Sequence, residues 1–103
     1  MKTLSIMGTV ALLLTFSLPA LAQTSYTGMK LAKEANVTLV QARAIALRTV
    51  HGKIISQELE RERGGSGLRY TFDIKTATKT FEVGVDAKNG RVLENVPEGK
   101  NSD

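Results

Sequence analysis

The stretch LRYTFDIK, residues 68 to 75, alternates strictly. Leu68, Tyr70, Phe72 and Ile74 are apolar, while Arg69, Thr71, Asp73 and Lys75 are polar. TFEVGVD repeats the pattern, with Phe81, Val83 and Val85 set against Glu82, Gly84 and Asp86. A period of two marks a strand with one dry and one wet face, and successive runs of it imply an antiparallel sheet. The second run ends in Asp86-Ala87-Lys88-Asn89-Gly90, followed by a fourth strand, RVLENV, at 91 to 96. Asn-Gly between two alternating runs is the strongest short hairpin signal. The expected geometry is a type I turn with Gly90 left-handed, Val85 opposite Leu93, and Asp86 accepting backbone N–H groups at the turn mouth. A calcium loop is rejected: Lys88 stands where an oxygen ligand is required, and the segment is too short.

The first strand lies in KIISQELERERGGSG, which ends in a Gly-rich hairpin loop. A four-residue loop at 63–66 sets Glu60 opposite Arg69 and Leu59 opposite Tyr70, favourable on both faces. A loop at 76–79 sets Asp73 opposite Glu82, which is unfavourable unless something compensates. A two-residue turn at Thr76-Ala77 avoids that clash but demands positive φ, which Thr tolerates poorly, so the longer loop is expected.

Before the strands comes NVTLVQARAIALRTVHG. Thr38 with Gln41 forms a capping box, and Val37 can staple onto Ala42. Gly52 sits where a helix ends in a left-handed residue, with His51 in the last turn. The spacing predicts a helix from about Leu39 to about His51. Leu39, Ala42, Ala46 and Val50 share one side, Leu47 lies on its shoulder, and Gln41 and Arg48 point away. Arg43 is expected to lay its stem along the core with its head in water. Residues 23–36 read as a flexible start with a short helical piece at KLAKEAN, and residues 97–103 as a polar tail. The expected fold is α+β: one main helix packed across a four-stranded antiparallel meander.

Residues 1–22 read as a cleaved signal peptide. Lys2 precedes an uncharged apolar run from Leu4 to Leu18, and Ala20 and Ala22 supply an A-x-A site before Gln23. That run is shorter than the ~20 residues of a spanning helix, so no membrane span is expected after cleavage. The expected location is periplasmic or secreted. The remaining ~80 residues lie near the lower limit for a domain without staples. There is no Cys to staple them. The net charge of +4 falls to +3 without Lys2; with no basic block and no Trp, nucleic acid is not an expected partner.

The segments VTLVQARAIALRTVHGKI, ISQELERE, LRYTFDI and FEVGVDAKNGRVLE, in this order and spacing, resemble the PepSY domain family, found in propeptides of secreted peptidases. Its closing hairpin stands here as Val85-Asp86-Ala87-Lys88-Asn89-Gly90-Arg91-Val92-Leu93. The chain departs from the family pattern at 76–79, where many members carry an Asp-Gly turn. The resemblance implies a secreted or membrane-tethered protein, with stand-alone members acting as regulators of envelope peptidases. It transfers no catalytic residue.

Catalysis is not expected. His51 is the only histidine, there is no Cys nucleophile, and no HExxH or phosphate-cradling loop is present. Asp73 and Glu82 lie on an open wet face with nothing to exclude water. No cofactor and no metal are expected. The candidate interaction face is Glu58, Glu60, Arg69, Asp73 and Glu82, or else an edge strand open to pairing, offered to a secreted or envelope peptidase or another envelope protein. The alternative is a module that senses a small molecule or cation.

Overall fold

The capping box forms as its spacing requires. Thr38 Oγ1 accepts from the Gln41 N–H at 3.1 Å, and the Thr38 N–H donates to Gln41 Oε1 at 2.9 Å. These bonds satisfy donors that the first helical turn leaves free. Helix α1 (Leu39–Thr49) follows. The computed structural model describes residues 25–99; the leader expected over 1–22 lies outside them. A 3-10 helix, Met29–Glu34, precedes α1.

Strands β1 (Lys53–Arg61), β2 (Leu68–Lys75), β3 (Thr80–Asp86) and β4 (Val92–Pro97) form one sheet in the order β1-β2-β3-β4, all neighbours antiparallel. This is the α+β meander under one helix that the alternation implied. Leu59, Tyr70, Phe72, Ile74, Val83 and Val85 are buried from the sheet side, and Ala42, Ala46 and Val50 from the helix side. The two alanines let α1 lie close on the sheet. Each large side chain so buried contributes roughly 1.5–3 kcal/mol.

Both hairpin registers of the first three strands follow the loop lengths. Leu59 pairs with Tyr70, Glu60 with Arg69, and Asp73 with Glu82. The 76–79 loop is held by the Thr76 N–H to the Lys79 carbonyl at 2.8 Å, and Thr76 Oγ1 accepts the N–H groups of Thr78 and Lys79.

Three expectations are corrected. The helix ends earlier than expected: Thr49 is its last residue, and Val50 is an extended C-cap whose N–H donates to the Ala46 carbonyl. Gly52 is therefore no helix cap. A Cβ there would lie 2.4 Å from the Lys75 carbonyl oxygen, so glycine serves the close approach of the chain entering β1 to the end of β2. At the last hairpin Gly90 is left-handed as expected (φ 80°), but Val85 pairs with Val92, not Leu93. The turn closes on Asp86 and Arg91, whose N–H and carbonyl bond at 2.8 Å, and the register shifts one step later. Leu93 is thereby displaced from the core and lies against Gly65. Lastly, Arg43 does not end in water; its guanidinium donates to Gln57 Oε1 on β1.

Candidate interaction face

The face of the sheet away from α1 carries the polar members of the alternation. Glu58 and Glu60 project from β1, Arg69, Thr71 and Asp73 from β2, and Glu82 from β3, with Glu94 on β4. The expected face residues thus come together. The sequence reading missed Glu62, Glu94 and Glu98, although Glu94 continues the outward alternation of β4. Glu98 joins because its N–H donates to the Thr80 carbonyl at 2.8 Å, extending the ladder past Pro97.

Arg69 is not the solvated cation that alternation suggests. Its stem crosses Gly84, where a Cβ would lie 2.9 Å from Arg69 Cδ. Its guanidinium bonds Glu94 at 3.3 Å and the Arg63 carbonyl at 3.0 Å, with Glu62 at 3.8 Å, and the side chain is 9% exposed. Thr71 is also buried, its hydroxyl donating to Glu60 at 3.1 Å. The middle of this face is therefore packed, by the 62–67 loop and by long side chains, rather than wet.

The carboxylates crowd. Burial raises the Glu82 pKa, and Glu94, Asp73 and Glu98 raise it further. Burial also raises that of Glu60, opposed by the Thr71 hydroxyl and reinforced by Glu58 and Glu62. The Glu98 carboxyl is raised by sharing a hydrogen bond with Asp73. Ser56 supplies part of the compensation that the facing Asp73 and Glu82 need, donating to Asp73 Oδ2 at 2.8 Å. A cleft of about 340 Å³ opens here, walled by Thr27, Ser56, Glu58, Thr71, Asp73 and Glu82. Carboxylate oxygens of Asp73, Glu82 and Glu98 lie within 4.8 Å of one another, so these three residues could supply oxygen ligands to a hard cation.

Asp86 does structural work. It is fully buried, and its carboxylate accepts the Ser66 N–H (2.7 Å), the Ser66 hydroxyl (2.7 Å) and the Lys88 N–H (2.8 Å). Burial alone would raise its pKa; these donors outweigh burial and hold it below the ordinary value. The expected turn role is thus correct but too small, since Asp86 also ties the β1–β2 loop to the β3–β4 turn. Asn89 Oδ1 accepts the Arg91 N–H at 2.9 Å. The neighbouring Ala87 carbonyl accepts the N–H groups of Asn36 and Val37, which seats the start of α1 on this turn. His51 is exposed beyond the end of α1.

The PepSY family, described as "Peptidase propeptide and YPEB domain", matches residues 36–95, more than half of the chain. The chain belongs to the PepSY family. The matched span opens at the capped helix and closes on β4, and Tyr26, Leu31 and Ala35 ahead of it also pack against the core. No curated protein and no solved structure matches the chain. Among the described residues of this PepSY domain, no helix is long and apolar enough to cross a membrane.

Proposed function

We propose that this PepSY domain is a non-catalytic regulator or inhibitor of envelope peptidases, acting by protein binding in the periplasm or outside the cell. The observation that carries this reading is the asymmetry of the sheet. One face is sealed by α1, while the other presents a row of carboxylates around an open cleft. Membership of a family of peptidase propeptides supplies the class of partner. The leader-like residues 1–22 support export. The test is hydrolysis by co-resident envelope peptidases with and without the purified chain. Slowed hydrolysis by at least one of them supports inhibition. If all rates stay unchanged and crosslinking in intact cells captures no peptidase, the reading fails.

A second reading, cation sensing, is favoured by the convergence of Asp73, Glu82 and Glu98. It requires a rise in melting temperature with one cation that Asp73→Asn or Glu82→Gln abolishes. A flat response across cations rejects it.

A further inference from the structure

The outer face holds most of the chain's negative charge although the chain is net basic at +4. Glu58, Glu60 and Glu62 come from β1 and its extension, and Asp73, Glu82, Glu94 and Glu98 from the other strands. Arg69, the cation in their midst, is already engaged by Glu62 and Glu94. Lys53 and Lys75 pair at the far end of β1 and β2 and bound the acidic run. Glu58 and Glu82 therefore line the cleft with no cation bonded to them among the described residues.

We propose that this face receives an extended segment of a partner protein that carries Lys or Arg at alternate residues. The inference rests on the protein-binding reading above and adds the chemistry of the partner. Three observations select this occupant. On β1, Glu58 and Glu60 lie two residues apart, roughly 6.6 Å along the strand, the spacing of alternate side chains in any extended peptide, and Glu62 follows just past the strand's end. The row covers roughly 13 Å, which a single ion cannot neutralise, whereas a string of spaced cations can. The edge of β1 is already occupied at its middle, where the Leu59 N–H donates to the Thr27 carbonyl at 2.9 Å. A partner reaching the acidic row of β1 is thereby directed over the face, along the cleft that Thr27 walls, rather than onto the β1 edge as a fifth strand.

The test uses the purified chain and two labelled peptides of equal composition, one alternating Lys with Thr and one with its lysines contiguous. Fluorescence anisotropy is expected to show tighter binding of the alternating peptide, weakened by added salt. The double variant Glu58→Gln/Glu60→Gln is expected to weaken it by about fivefold, whereas Glu34→Gln, whose carboxylate pairs with Arg61, leaves it unchanged. Circular dichroism establishes that each variant is folded. Equal affinity for both peptides overturns the proposal, as does a double variant that binds like the parent. Binding of calcium or magnesium with no binding of either peptide overturns it too. Peptide binding with no effect on peptidases and no peptidase captured by crosslinking leaves this inference standing and removes the regulatory reading. Slowed hydrolysis without peptide binding does the reverse.

Discussion

Asp86 shows how much one side chain of a small core can carry. Its Oδ2 accepts a backbone N–H and its Oδ1 accepts a hydroxyl and a second backbone N–H. Asp86→Asn would set an amide NH2 against one of those backbone donors whichever way it turned. Hydrogen bonds to charged groups contribute about 1.5–3 kcal/mol each, so the variant is expected to lose roughly 2–3 kcal/mol in urea unfolding at neutral pH. Because the folded pKa is depressed, the parent's extra stability is present above the unfolded value and is lost as pH falls through the folded one. The variant should lack that acid limb. Tyr70 gives the opposite sign. Its hydroxyl donates to the Val37 carbonyl at 2.7 Å, and burial, with Tyr26 beside it, pushes its pKa up to about 12. A raised folded pKa means stability fully present below the unfolded value near 10 and lost as pH climbs towards about 12. Tyr70→Phe is expected to cost about 1 kcal/mol at pH 7 and to flatten that alkaline loss in a thermal-melt series.

At the scale of elements, loop length and periodicity made most of the fold legible. The Gly-rich 63–66 loop fixed the β1–β2 register, and the capping box fixed the start of α1. What misled was a residue type with two uses. Glycine after a helix suggests a left-handed cap, yet Gly52 is needed for space beside the Lys75 carbonyl, a contact that only the folded sheet creates. Asparagine discriminates the two uses, since it tolerates the left-handed conformation but not the clash. Gly52→Asn and Gly52→Ala should therefore destabilise alike, by roughly 1–3 kcal/mol, measured by thermal unfolding. Equal tolerance of Asn with glycine would restore the cap reading. Arg69 was misread for a related reason. Alternation assigns a side to a residue but not its cover, and its cover comes from the 62–67 loop and Glu94, distant in sequence. The interaction face was legible as to side; its crowding, and the recruitment of Glu98, depend on four strands meeting.

For the molecule as a whole, the two faces differ in what they contribute to stability. The helix face supplies the core, while the outer face gathers like charges that repel. Glu82 measures that repulsion, because burial and then Glu94, Asp73 and Glu98 raise its pKa in the folded state. By the same linkage, the folded state is favoured below the unfolded carboxylate value and loses that advantage as pH rises through the folded one. Glu82→Gln is expected to raise the melting temperature at pH 7 and to leave it nearly unchanged at pH 3, where the parent carboxyl is already protonated. Added salt should narrow the gap at pH 7, since the repulsion acts across a partly exposed face. No such rise would mean that Ser56, Arg69 and solvent already neutralise the cluster, leaving the face no excess charge to offer a cationic partner. A rise coupled to loss of peptide binding would instead show a surface held against its own stability, as sites of recognition commonly are.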